Sequence, residues 1–306
     1  MDKVAIIGEC MLELSHSNKA EMRLSYGGDT LNTAVYLSRL GVEVDYVTAL
    51  GDDNMSDWML DQWRAEGVGC DLVERSLGSV PGLYMIQTDE HGERSFLYWR
   101  DSAPAKRMFD DEGRARQLFD MIANYQWVYL SGITLALYNH ESLQRFIGLL
   151  LEFRNTGGKI VFDGNYRPRL WPSESAAQKA FEAVYRLSAV ALPTLDDEFL
   201  LFGDKDREAV VQRLRSWGIT EIGLKMGAEG CLVVARHTEE IVKSRKVAVL
   251  DTTSAGDSFN AGYMAAKIKG SSPQQAAEHG HNLASVVIQH RGAIIPIEKM
   301  PAPALL

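Results

Sequence analysis

The 306-residue sequence predicts a doubly wound α/β fold, with a mostly parallel sheet, helices on both faces and a small β lid. Three observations carry this expectation. Short apolar runs alternate with amphipathic segments along nearly the whole chain. Glycines such as Gly41, Gly67 and Gly218 stand where the amphipathic segments stop. One stretch breaks the alternation with a hairpin pattern. Continuous apolar runs suit strands covered on both faces, and repeated β-α units place successive strands parallel.

Taken in order, Val4–Ile7 is a buried strand, and Leu12-Glu13-Leu14 can add a short second one. Gly27-Gly28-Asp29 opens a helix over Thr30–Leu40. Strand Val44–Leu50 leads into helix Ser56–Glu66. The hairpin follows, with Gly82–Thr88 and Arg94–Arg100 flanking the turn-rich Asp89-Glu90-His91-Gly92-Glu93. On its second strand the pleat puts Phe96, Tyr98 and Arg100 on one face and Leu97 and Trp99 on the other. The β-α rhythm then resumes. Helix Gly113–Asn124 precedes strand Trp127–Leu130, helix Glu141–Asn155 precedes strand Lys159–Phe162, and helix Ser175–Leu187 precedes strand Val190–Leu192. Helix Arg207–Trp217 and strand Ile222–Leu224 come next, and helices Ala255–Lys269 and Pro273–Gln289 close the chain. The expected organisation is one domain over residues 1–306, with lid segments at roughly 10–27 and 80–102.

Composition narrows the function classes. With 46% hydrophobic and 24% charged residues the chain can build a large core. A net charge of -9 without a basic block argues against a nucleic-acid partner. No apolar run approaches the length of a membrane span, and the N-terminal run is too short for a signal peptide. Three scattered cysteines predict no disulfide framework and a reducing, cytoplasmic setting. The seven histidines show no metal-ligand spacing.

The chemistry concentrates at Asp251-Thr252-Thr253-Ser254-Ala255-Gly256-Asp257, just where a helical pattern begins. A helix start presents free N–H groups and favours negative charge, and small residues let a phosphate reach the backbone. Asp257 can take a proton from an attacking hydroxyl. Gly28, Asp29 and Asn32 read either as a capped glycine turn or as a contact with ligand hydroxyls. Asp163-Gly164-Asn165-Tyr166-Arg167 follows a strand, where open α/β sheets hold their ligands, and Arg167 suits a carboxylate or phosphate. Lys225-Met226-Gly227-Ala228-Glu229-Gly230 reads as a glycine hairpin or as backbone running beside a nucleotide. Asp196-Asp197-Glu198 reads as an acidic helix start or as a holder of Mg²⁺ with phosphates. Neither the Walker phosphate loop nor the Gly-x-Gly-x-x-Gly fingerprint occurs.

In this order the motifs resemble those of the ribokinase-like, PfkB-type carbohydrate kinases over nearly the whole chain. Gly27-Gly28-Asp29-x-x-Asn32 resembles the first signature of that family, and Asp251 to Asp257 resembles the second, D-T-x-G-A-G-D. The Tyr98-Trp99-Arg100 strand and Asn165-Tyr166-Arg167-Pro168-Arg169 resemble those of family members acting on a 2-keto-3-deoxy sugar acid. The resemblance implies ATP-dependent phosphorylation of the C6 hydroxyl of such an acid, with ATP, Mg²⁺ and a further monovalent cation such as K⁺ as expected cofactors. It implies Asp257 as base and the backbone of Ala255 and Gly256 as anion hole. It implies Gly28, Asp29, Asn32, Tyr84, Tyr98, Arg100, Arg167 and Asp257 around the sugar acid. Asn165, Arg167, Lys225, Gly227, Gly230, Ser254, Ala255, Gly256 and Asn282 are implied around ATP, Glu198 near Mg²⁺ through water, and Asp251 and Thr253 near a monovalent cation. Lid pairing into a homo-oligomer is implied too. Two positions depart from the family pattern: Ser254 replaces the first Gly of G-A-G-D, and Leu195 replaces Asn in N-x-x-E. A kinase for another sugar such as fructose, or a silent sugar-acid sensor, remains an alternative.

Overall fold

A computed structural model describes residues 2–16, 21–88, 94–236 and 238–301. In chain order its strands are β1 (Lys3–Ile7), β2 (Met11–His16), β3 (Met22–Gly27), β4 (Glu43–Gly51), β5 (Val73–Ser76), β6 (Leu83–Thr88), β7 (Arg94–Trp99), β8 (Trp127–Ser131), β9 (Lys159–Asp163), β10 (Val190–Ala191), β11 (Glu221–Lys225), β12 (Cys231–Ala235) and β13 (Thr238–Val242). The helices are α1 (Asp29–Arg39), α2 (Asn54–Ala65), α3 (Glu112–Ile122), α4 (Gly132–Leu135), α5 (His140–Asn155), α6 (Glu174–Tyr185), α7 (Leu195–Phe202), α8 (Arg207–Ser216), α9 (Ala255–Ile268) and α10 (Pro273–Val287). The expected Asp89–Glu93 turn lies outside the described residues.

Nine strands form the main sheet, in the order β13-β12-β11-β10-β9-β8-β1-β4-β5. All neighbours are parallel except β11–β12 and β12–β13. Alternation along β1 supplies both sides of the core. Val4 and Ile6 join Leu31, Tyr36 and Phe259 on the side covered by α1, α9 and α10. Ala5 and Ile7 join Phe109, Phe146 and Phe181 on the side covered by α3, α5 and α6. The sheet is thus doubly wound, and the strand order reverses direction at β1 and β8, which opens a crevice at their carboxyl ends.

The second sheet has the order β3-β2-β6-β7. Here β2 runs parallel to β6 and the outer pairs are antiparallel. Strand β3 was unexpected as a separate element, as were β5, β13 and α4. The edge strands β3, β5 and β13 are mixed in polarity, and α4 is a single turn. Neither kind carries a clear periodic signal.

Gly28 shows how closely the two sheets meet. A Cβ there would lie 2.3 Å from the carbonyl oxygen of Glu9 and 3.1 Å from Cys10 Cα. Gly28 therefore serves the packing of α1 against the β1–β2 corner, and the space it frees is filled by protein backbone. At Gly27 a Cβ would lie 2.2 Å from the Tyr84 hydroxyl, so the second sheet is fitted against the same turn.

Candidate active site

A cavity of about 500 Å³ opens at the carboxyl ends of the central strands, beneath the second sheet. Asp163 ends β9, Lys225 ends β11 and Thr194 follows β10, while α1 contributes Asp29 and Asn32 and the start of α9 forms the floor. Tyr84, Phe96 and Tyr98 from β6 and β7 form the roof. Their rings lie close together, with Tyr84 6.0 Å from Tyr98 and Phe96 stacked 6.3 Å from Tyr98.

The α9 start is shaped by Ser254. Its φ of 63° lies in the left-handed region, which explains why a glycine is usual at this place in the family signature. The chain then enters the helix, with Ser258 N donating to the Ser254 carbonyl at 2.9 Å. Ala255 N donates to the Thr252 carbonyl at 3.1 Å, while the N–H groups of Gly256 and Asp257 are left at the open end of the helix. Asp251 braces the approach. Its Oδ1 accepts from Thr253 N at 3.0 Å and Thr253 Oγ1 at 2.6 Å, and its Oδ2 accepts from Gly292 N at 3.0 Å.

Asp257 is 9% exposed and points into this cavity wall. Asn32 Nδ2 donates to its Oδ2 at 2.8 Å, and Thr33 Oγ1 donates to its carbonyl at 3.3 Å. Burial pushes the Asp257 carboxyl up to about 7, helped by the neighbouring charge of Asp29, while the Asn32 bond opposes the rise. Burial also raises the Asp29 carboxyl, opposed by its hydrogen bonds. One of these bonds comes from Asn165 Nδ2 at 2.7 Å. Asn165 makes it from a left-handed backbone with φ 27°, a conformation that asparagine tolerates better than most residues. Asn32 Oδ1 is buried without a donor, an acceptor that a ligand hydroxyl would satisfy.

The cationic residues separate into three settings. Arg167 lines the cavity, half exposed, with Nη1 2.7 Å from the Tyr166 carbonyl and 3.4 Å from Asp197 Oδ1. Lys225 lines it too, buried, with Nζ 2.9 Å from Asp163 Oδ1 and 3.1 Å from Asn260 Oδ1. Arg100 does not line it. Its guanidinium is paired with Glu9, which is only 5% exposed, and it follows β7 at the edge of the second sheet. Arg100, expected at the substrate carboxylate, is thus held off the cavity in this conformation, with its charge matched by Glu9.

Other expected positions lie apart from the cavity. Glu198, placed near Mg²⁺ by its motif, is 1% exposed and does not line the cavity. The Tyr185 hydroxyl and Arg213 Nη2, at 2.8 Å, occupy its oxygens. With both oxygens engaged it braces α7 against α6 and α8 and is not placed as a metal ligand. The carboxylates that do face the cavity from α7 are Asp196 and Asp197. Among the described residues no group of three or more His, Cys, Asp and Glu side chains could hold a metal ion. Gly227, Gly230 and Asn282 do not line the cavity. Gly230 is needed for its own turn, with φ 110° and a Cβ position only 2.2 Å from the Val242 carbonyl. Sequence reasoning missed Asn260 and Tyr129, whose bonds to Asp163 depend on neighbours far away in the chain.

The sequence matches the pfkB family carbohydrate kinase model over residues 1–300. The 2-dehydro-3-deoxygluconokinase of Escherichia coli K12 is 46% identical over 308 residues, covering 98% of this chain and 99% of that protein. The enzyme of the same name from Dickeya dadantii is 45% identical, covering 98% of each. The crystal structure of 2-dehydro-3-deoxygluconokinase from Thermotoga maritima shares the fold with a TM-score of 0.84 at 20% identity, covering 97% of this chain and 96% of that one.

Proposed function

The chain belongs to the pfkB family of carbohydrate kinases, and on that footing we propose that it phosphorylates the C6 hydroxyl of 2-keto-3-deoxy-D-gluconate with ATP, giving the 6-phosphate and ADP. The observation that carries the reading is a buried carboxylate, Asp257, raised to about 7 at the mouth of a helix start that lines the cavity. A base matched to working pH beside free N–H groups is the pairing that phosphoryl transfer to an alcohol requires.

In this reading Asp257 takes the proton as the C6 oxygen attacks the γ-phosphorus, and the bond from phosphorus to the ADP oxygen breaks. The backbone N–H groups of Gly256 and Asp257 hold the phosphoryl oxygens, and Ala255 N joins them only by leaving the Thr252 carbonyl. Asp29 and the unpaired Asn32 Oδ1 accept from sugar hydroxyls, and Tyr84 and Tyr98 cover the ring atoms. Arg167 is the cavity-facing guanidinium that meets the carboxylate and keto end, near the phosphates. Arg100 joins it only by exchanging Glu9 for the substrate.

Mg²⁺ is expected with the nucleotide. The donor set fits an ion carried by phosphates and water, which is the usual habit of Mg²⁺, with Asp196 and Asp197 as its nearest carboxylates. When bound it supplies charge neutralisation on the phosphates. The second sheet is assigned as a lid that excludes water from the cavity. The proposal extends to a cytoplasmic setting, in keeping with the unpaired buried thiols of Cys10, Cys70 and Cys231. It extends also to a homo-oligomer joined through the lid, since Leu97 and Trp99 are exposed on β7 on the face opposite Tyr98.

ADP release measured over a panel of acceptors tests the reading. The ketodeoxy sugar acid should dominate fructose, ribose and gluconate by at least about tenfold in kcat/KM, a difference of about 1.4 kcal/mol. Equal rates with neutral sugars would overturn the substrate assignment, and binding without ADP release would favour a sensor.

A further inference from the structure

Lys225 Nζ stands against the Gly256 turn of the anion hole, and the geometry points to it as a catalytic cation for phosphoryl transfer, held in place by Asp163 and Asn260. The inference rests on the kinase reading above and deepens it. An ammonium carries three N–H donors. Asp163 Oδ1 at 2.9 Å and Asn260 Oδ1 at 3.1 Å account for two of them. Among the described residues no acceptor occupies the third. Nζ lies 3.6 Å from where a Cβ on Gly256 would stand, so the ammonium sits against the very turn whose N–H groups form the hole.

The support for this ammonium is unusually complete. Asp163 is 2% exposed. Its Oδ2 accepts from Asn260 Nδ2 at 2.8 Å and from the Tyr129 hydroxyl at 3.4 Å, while Oδ1 takes the ammonium. Both oxygens are therefore fixed, and the carboxylate cannot swing towards the cavity. Asn260 belongs to α9, one turn beyond Asp257, so the helix that carries the base also carries the acceptor that aims Lys225. An ion pair serving stability alone gains little over apolar packing of equal volume. This pair instead lines the cavity wall, where a cation meets the growing charge on the phosphoryl oxygens. Lys225 donates its third N–H to those oxygens, and no bond is made or broken at the lysine.

Lys225→Met alone leaves Asp163 buried without a partner, so the informative variant is Lys225→Met combined with Asp163→Asn, which removes both charges together. We expect this pair to lower kcat by about 10²-fold or more, the usual loss of an oxyanion-hole donor, with KM for ATP changed less than about threefold. Asn260→Ala, which frees Lys225 without discharging it, should lower kcat by a smaller factor at unchanged KM for ATP. A double variant with near wild-type kcat would overturn the inference, as would a loss found wholly in KM for ATP. Asp257→Asn should lower turnover by about 10²–10⁴-fold in the same assay. If it does so while the lysine variant stays active, this inference fails and the kinase reading stands. A silent wild-type protein overturns both.

Discussion

Two aspartates set the pH behaviour of the site. As the proposed base Asp257 must be ionised, and its carboxyl is raised to about 7 by burial and by Asp29. The acid limb of kcat/KM should therefore fall through pH 7, and activity is lost as pH drops below it. Asp29→Asn removes the neighbouring negative charge, so the limb should move to lower pH while KM for the sugar acid rises. A limb that stays in place or moves upward in a pH–rate profile would contradict this. The same shift bears on stability. The folded protein binds this proton more tightly than the unfolded chain, so the contribution is favourable at low pH and is lost as pH rises through 7. Asp257→Asn should accordingly melt higher than wild type at pH 8, and an unchanged or lower melting temperature there would count against the burial argument. The Asp257 signature was legible because all of its parts lie within seven consecutive residues. The fixing of Lys225 by Asp163 and Asn260 was not, since those residues stand 62 and 35 positions away from it and meet only once β9, β11 and α9 are side by side.

At the scale of elements, the junction between the two sheets is the informative place. The hairpin of β6 and β7 was legible from its alternation, and so was the shared face of Phe96 and Tyr98. The pairing of Arg100 with Glu9 was not, because Glu9 follows β1 and becomes a neighbour of β7 only when β2 aligns with β6. Burial raises the Glu9 carboxyl, and the Arg100 guanidinium opposes that rise. Arg100→Ala leaves that carboxylate buried and unpaired, with an expected loss of about 3–5 kcal/mol. Adding Glu9→Gln should return much of this loss, and denaturant unfolding of the two single variants and the double would measure it. Strict additivity would show that the pair does not tie the lid to the body. Gly28→Ala tests the other contact at this junction. A methyl 2.3 Å from the Glu9 carbonyl requires backbone to shift, so this small change should destabilise by about 1–3 kcal/mol or more. A variant as stable as wild type would mean that the corner yields freely.

For the whole molecule, the doubly wound sheet brings strand ends that are distant in sequence to one crevice, and that convergence is what turns separate motifs into a site. The order of motifs was enough to expect the fold, and the sheet order explains it. Strands β8, β9, β10 and β11 step outward from β1 in one direction, so their following loops line a single wall. What the motif order could not convey was which charges are free at the wall and which are spent, as with Glu198 on Arg213 and Arg100 on Glu9. The proposed chemistry rests on Asp257 as the base acting on a bound sugar acid. Its most direct test is Asp257→Asn, measured both for turnover with ATP and 2-keto-3-deoxygluconate and for sugar-acid binding by calorimetry. With Asp257 as base, kcat should fall by about 10²–10⁴-fold while the dissociation constant changes by less than about threefold. Turnover within about threefold of wild type would contradict it.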